Sequence, residues 1–194
     1  EVTTNMIKKW WPIEIGYYDN PEHDNDLINY CYDIRKKTKS GGENWISNQI
    51  YNTSNKKFQP HNDKNFKKLN SWILKQIDNY IFQTKLKFKV NHKQTDSWFN
   101  VYNKGDYQEI HQHFNYVLSA VYFLKSNLDH SPLIFRPNHV DHFDIGKTEG
   151  VSTNSDVLYK AVPGRLIIFR SYLPHCVGKH TDKDDRITLA YNYR

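Results

Sequence analysis

Apolar positions recur every three to four residues in the first half of the chain and every two in the second, so the pattern predicts helices followed by strands. After Pro21, Leu27, Ile28, Cys31 and Ile34 fall on one side of a helix over 24–37, with Asp24 or Asp26 near its start as cap and Gly41-Gly42 beyond its end. The polar stretch from Glu43 to Gln59 reads as loop, with at most a short strand around 46–51. Phe66, Leu69, Ile73, Ile77, Tyr80 and Ile81 mark a second helix over 63–85, with lysines between them.

From Lys85 onward strands are expected near 86–90, 97–102, 107–113, 118–124, 133–136, 158–162, 165–170, 176–178 and 187–193. Asn103-Lys-Gly105, Ser126-Asn127 and Pro163-Gly164 supply turns. Short strands spaced this way predict a mainly β fold with N-terminal helices, a jelly roll with two helices packed on one sheet. One domain is expected over 1–194, with 1–85 as a mainly helical support and 86–194 as the β core. The polar segment 137–156 has two glycines and few apolar anchors, and reads equally as a substrate lid or a mobile loop.

Composition narrows the class. A chain of 194 residues can bury a full core, and two cysteines, Cys31 and Cys176, are too few for a disulfide framework and form no C-x-x-C pair. No apolar run is long enough to span a membrane and the N-terminus carries no signal-like segment, so a soluble protein in the cytoplasm, of the cell or of an infected host cell, is expected. The +6 charge keeps nucleic acid in view as a partner, but the lysines are dispersed as on a solvated helical face. The content of Trp, Tyr and Phe suits a β-rich fold with large side chains around a cavity.

Candidate chemistry begins at Tyr107-Gln-Glu-Ile-His111-Gln-His113. On a strand, histidines at i and i+2 point to the same face and can reach one ion, although His-x-His alone is a weak signal. Downstream, the turn at Pro163-Gly164 and the apolar run to Phe169 lead into a short loop that delivers His175 before another strand. Three imidazoles on one side of a metal leave its opposite positions open for co-substrate and oxygen. Arg186 follows, in a strand where Arg186, Thr188, Ala190 and Asn192 share a face, and a guanidinium in a pocket matches a carboxylate.

Residues 96–194 resemble the Fe(II)/2-oxoglutarate oxygenase superfamily, and more narrowly its branch common in marine bacteria and their phages. The resemblance rests on Trp98-Phe-Asn100, Gly105-Asp-Tyr-Gln-Glu-Ile-His111-Gln-His113, Leu118-Ser-Ala-Val-Tyr-Phe-Leu124, Pro163-Gly-Arg-Leu-Ile-Ile-Phe169, Leu173-Pro-His175 and Arg186-Ile-Thr-Leu-Ala-Tyr-Asn192. Residues 1–95 match more loosely, through the helical segments and Gly41-Gly42 followed by Trp45-Ile-Ser47.

The resemblance implies a double-stranded β-helix. In it His111, His113 and His175 hold Fe(II), and Arg186 grips the C5 carboxylate of 2-oxoglutarate. Tyr102, Asn100 and Thr188 are the further candidates around the co-substrate. It also implies a dioxygenase that consumes O2 and 2-oxoglutarate, releases succinate and CO2 and hydroxylates a C–H bond, in a prolyl-type protein side chain or a small molecule. Most superfamily members carry Asp or Glu where this chain has His113, so the iron site is one unit more positive and is expected to hold Fe(II) less tightly. Three-histidine iron sites also occur in cupin-class thiol dioxygenases, so a dioxygenase that does not use 2-oxoglutarate is one alternative, and a non-catalytic jelly-roll binding module is another.

Trp98, Tyr122, Phe123 and Phe169 read as core. The histidines outside the motif, His23, His61, His92, His130, His139, His142 and His180, read as exposed, with a substrate role open for His139 and His142 in the insert.

Overall fold

The computed structural model describes residues 13–22, 25–41, 50–55, 57–91, 95–136 and 156–194. Its strands are β1 (Ile15–Asp19), β2 (Tyr51–Asn52), β3 (Asp96–Tyr102), β4 (Gln108–His111), β5 (Leu118–Lys125), β6 (Leu133–Phe135), β7 (Val157–Tyr159), β8 (Arg165–Arg170), β9 (His175–Val177) and β10 (Arg186–Tyr193). Two helices, α1 (Asn25–Lys37) and α2 (Lys67–Gln83), precede β3. The strands form a six-stranded sheet in the order β1-β8-β5-β10-β3-β2 and a four-stranded sheet in the order β4-β9-β6-β7. Every pairing is antiparallel, and the arrangement is the double-stranded β-helix.

Alternation along the large sheet divides the core in two. Ile187, Leu189, Tyr191 and Tyr193 of β10, with Leu118, Ala120, Tyr122 and Leu124 of β5 and Leu166 and Ile168 of β8, pack against Leu27 and Cys31 of α1 and Leu69, Ile73, Ile77 and Tyr80 of α2. The intervening positions Phe123, Ile167 and Phe169 point the other way, onto Leu133, Phe135 and Val177 of the small sheet. The same alternation turns Arg186, Thr188 and Ala190 into the space between the sheets, where the site lies.

Several expectations change. Residues 86–90 form no strand. Leu86, Phe88 and Val90 do pack into the helix–sheet core, so the two-residue period reflects burial of one side of an extended segment without a pairing partner. Residues 64–66 form a 3-10 turn rather than the first turn of α2, because the Asp63 side chain accepts from the Asn65 N–H at 2.8 Å to cap it, and a further 3-10 turn opened by Pro60 precedes it over 60–62. Lys85, at φ 54°, ends the second helix. The first half is not only helical: β1 and β2 are the two edges of the large sheet. β1 is half-exposed and held to β8 by a bidentate pair between Arg165 and Asp19, 2.7 and 2.8 Å.

The turn at Pro163-Gly164 forms as expected, with Gly164 at φ 76° and a site for its missing Cβ only 2.9 Å from the Asn20 carbonyl oxygen. Asp24, the Gly42 and Trp45-Ile-Ser47 matches, the expected strand residues 46–49, the insert over 137–155 and His23, His92, His139 and His142 lie outside the described residues. Among the described residues no helix is long and apolar enough to cross a membrane.

Candidate active site

Strands β4 and β9 are neighbours, and their register sets His111 directly opposite His175. A cross-strand pair holds two Cβ atoms close enough for both rings to reach one point. The register slips between Gln108 and His111, a bulge that re-aims the end of β4. The strand stops at His111, so the same-face argument for His-x-His does not apply. His113 sits in the following turn and is pinned there by its N–H, which donates to the Ser171 carbonyl at 2.9 Å. The three imidazoles nevertheless meet: their donor atoms lie within 4.8 Å of one another, and the ring centres of His111 and His175 are 4.2 Å apart.

Each ring is anchored through Nδ1. His111 donates to the Glu109 carbonyl and His175 to the Leu173 carbonyl, both at 2.8 Å, and His113 donates to Asn192 Oδ1 at 2.7 Å. Carbonyl oxygens only accept, so the proton resides on Nδ1 and the lone pair on Nε2, the form in which a histidine ligates metal. Ser119 adds to the support of His113: its hydroxyl donates to Asn192 Oδ1 at 2.7 Å, lies 3.1 Å from His113 Nδ1 and meets Ser171 Oγ at 2.8 Å. Burial pushes His111 down to about 4 and lowers His113. Burial together with the neighbouring His111 and His113 holds His175 well below the usual histidine value. The trio is therefore neutral near pH 7 and does not need to lose protons to bind an ion.

Arg186 occupies the start of β10 and is fully buried. Its Nε and both Nη atoms have no hydrogen-bond partner. The guanidinium carbon lies 4.7 Å from the Tyr102 ring centre and 5.0 Å from that of Phe123, so it is flanked by aromatic faces rather than by a carboxylate. Burial lowers its proton affinity, but a guanidinium stays charged in proteins. An unpaired buried cation costs several kcal/mol, roughly, which an anion entering the cavity would offset. The same cavity is lined by the three histidines, Tyr102, Asn100, Thr188 and Arg186.

The supporting positions divide. Thr188 accepts from the Asn100 side-chain amide at 3.4 Å, which leaves its own hydroxyl proton to donate. Tyr102 donates its hydroxyl proton to Gln108 Oε1 at 3.0 Å, so that proton is not directed at a co-substrate, and burial pushes its phenol up to about 12. Gln108, Ser119, Ser171 and Asn192 are the functional neighbours that the sequence reading did not assign. Only Asn192 carried a signal, its place on the Arg186 face of β10.

Outside the histidines a second cleft opens, lined by Ser54, Asp96, Trp98, Gln112, Phe114, Asn115, Tyr116 and Asn192, and it shares Trp98, His111 and His113 with the inner cavity. Trp98 is thus not core as expected: it borders both cavities, with its ring 5.8 Å from that of His113. Tyr122, Phe123 and Phe169 are core. His130 and His180 are also not exposed. They are buried with ring centres 4.7 Å apart, because the β5–β6 and β9–β10 connections pack on each other, and His130 approaches Asp182 at 3.6 Å. His61 is half-buried, with its ring 2.7 Å from Ser97 Oγ.

Residues 96–192 match the model of a protein family described as "Putative 2OG-Fe(II) oxygenase". Among solved structures, the chain is similar to a prolyl-4-hydroxylase of Pseudomonas putida, with TM-score 0.62 at 14% identity, covering 94% of this chain and 92% of that one. It is similar to a prolyl hydroxylase of Trichoplax adhaerens in complex with a hypoxia inducible factor peptide fragment, with TM-score 0.63 at 13% identity over 92% and 82%. The viral collagen prolyl hydroxylase of Paramecium Bursaria Chlorella virus-1, in a 2OG complex, matches with TM-score 0.57 at 14% identity over 93% and 95%. At these identities the likeness is one of fold. No curated protein sequence matches the chain.

Proposed function

Because the chain belongs to the 2OG-Fe(II) oxygenase family, which takes Fe(II) and 2-oxoglutarate, we propose that His111, His113 and His175 hold the iron and that Arg186 and Thr188 hold the distal carboxylate of the co-substrate. The observation that carries this reading is the buried guanidinium without a partner, in the same cavity as three neutral imidazoles. Iron with 2-oxoglutarate and O2 supplies the oxidation: the co-substrate is decarboxylated to succinate and CO2, and one oxygen atom enters a C–H bond.

The protein's share is placement and exclusion. Arg186 provides two parallel N–H donors to a carboxylate, and its aromatic neighbours Tyr102 and Phe123 keep water from competing. The Glu109, Leu173 and Asn192 oxygens fix the three rings. With three neutral imidazoles as protein ligands, the dianionic co-substrate would be the anionic partner bound to the metal itself, so metal and co-substrate affinities should reinforce each other.

A C–H bond of a protein side chain, prolyl in the first trial, or of a small molecule, is the target of this reading. The peptide bound by the Trichoplax enzyme of the same fold makes a peptide the first substrate to try. A non-catalytic module is disfavoured by a buried guanidinium without a hydrogen-bond partner beside three neutral imidazoles, and a cupin-type thiol dioxygenase by the family match over residues 96–192.

Anaerobic Fe(II) titration with and without 2-oxoglutarate tests the assignment. The expected result is stoichiometric iron and a metal-to-ligand charge-transfer band that appears only with the co-substrate, with both lost in His175→Ala. Iron without the band would favour the cupin alternative. Stoichiometric iron and turnover in His175→Ala would overturn the ligand set.

A further inference from the structure

The cleft outside the histidines differs in character from the rest of this basic protein. Of its lining side chains only Asp96 carries a formal charge, and the walls are Trp98, Phe114 and Tyr116. Phe114 is 81% exposed, a large apolar ring left at the mouth of the cavity. Asp96 opens β3, two residues before Trp98, so strand alternation sets the carboxylate and the indole on the same face of the sheet.

The Asp96 carboxylate is held but not neutralised. Gln59 Nε2 donates to Oδ1 at 2.8 Å and the Tyr116 hydroxyl donates to Oδ2 at 3.2 Å. Both donors are neutral. Among the described residues Asp96 enters no ion pair. A carboxylate has about four acceptor sites, so two fixed donors orient it and leave capacity for a further one. The Arg194 guanidinium lies 4.6 Å from the Tyr116 ring centre, so the ring already accepts a cation, whereas no cation of the described residues lies over Trp98.

We propose that this cleft is a recognition subsite for an alkylammonium group on the substrate, with Asp96 as its counter-charge and Trp98 as the aromatic wall against which it rests. A fixed carboxylate beside electron-rich ring faces attracts a cation twice over, by charge and by the ring quadrupole. Shared lining by Trp98, His111 and His113 places the group beside the metal site, within reach of a substrate whose C–H bond lies over the inner cavity. Calling the ligand a substrate rests on the oxygenase reading above; the binding chemistry does not.

Calorimetric titration of the full chain, with Zn(II) in place of iron and 2-oxoglutarate present, tests the subsite with three blocked amino acids: N-acetyl-lysine amide, its trimethylammonium derivative and N-acetyl-norleucine amide. The two cations are expected to bind at least about tenfold tighter than the neutral norleucine compound, which lacks the terminal nitrogen. Asp96→Asn, which still accepts from Gln59 through Oδ1 and can donate through Nδ2 to the Tyr116 hydroxyl once that hydroxyl rotates, should remove at least about tenfold of that affinity and leave norleucine binding unchanged. Equal binding of the three compounds to the unaltered chain, which needs no variant to fold, overturns the proposal, as does full cation affinity in Asp96→Asn. Succinate formation from 2-oxoglutarate, Fe(II) and O2 is measured in parallel. Its absence would count against the oxygenase reading without touching the cation result.

Discussion

Strand β10 and the corner made by β4 and β9 both serve the cavity, yet the fold secures them differently. All eight residues of β10 are buried, and it pairs along its length with β3 on one side and β5 on the other. β4 has four residues, lies at the edge of the small sheet, carries a bulge and pairs with β9 alone. Arg186 belongs to the first setting and the histidines to the second. A guanidinium can stay unpaired because the strand around it is over-determined, whereas rings at the ends of short strands and in the adjoining turn each need an anchor, and each has one at Nδ1, two from backbone carbonyls and one from Asn192.

The sharpest way to break this contrast is to remove the guanidinium. Arg186→Met should weaken 2-oxoglutarate binding by roughly 10²-fold or more, the scale of losing a buried charge partner. The same variant should melt at the same temperature as the parent, or higher, because the free protein no longer buries an uncompensated cation. Thermal melts with and without 2-oxoglutarate, on the Zn(II)-loaded chain, read both effects at once. A variant that is less stable and still stabilised by 2-oxoglutarate would mean that Arg186 is a structural residue.

A smaller effect tests whether the rigid strand also serves the metal. Asn192, at the far end of β10, accepts the Nδ1 proton of His113. Asn192→Leu leaves that ring with the Ser119 hydroxyl alone and should cost roughly 10–100-fold in metal affinity, read by competition with a chromophoric chelator. Unchanged affinity would confine the metal site to the small sheet and its turns.

Much of this was legible from alternation. A two-residue period over β3, β5, β8 and β10 fixed which side chains face inward, and with it the grouping of Arg186, Thr188, Asn100 and Tyr102. The histidine trio was legible from motif order, but for His113 the reason was wrong: a turn pinned to Ser171, not a strand face, brings it in. What escaped depends on contacts between distant segments. Ser119 and Asn192 are 73 residues apart and meet only across the β5–β10 ladder. β1 is half-exposed and its short pattern is indistinct until β8 lies beside it. The burial of His130 and His180 comes from two connections packing together, which no local period encodes.

The smallest expected effect lies at the entry of β10. Asp185, next to Arg186, accepts from the Tyr32 hydroxyl at 2.6 Å and pairs with Lys125, tying the strand to α1 and β5. Burial by itself would raise the Asp185 carboxyl, but the hydrogen bonds from Lys125 and Tyr32 outweigh it and the net shift is downward. A carboxyl lowered by folding contributes stability that is present above its unfolded value, near 4, and is lost as pH falls through the lower folded value. Asp185→Asn should therefore cost about 1 kcal/mol at pH 7, a fall of roughly 2–4 °C in Tm, and the deficit should shrink below about pH 4 as the parent loses the same contribution. If β10 is as firmly held as its pairing implies, 2-oxoglutarate affinity should be nearly unchanged in this variant. A tenfold loss would show that the ion pair at the strand entry, and not the two flanking ladders, positions Arg186.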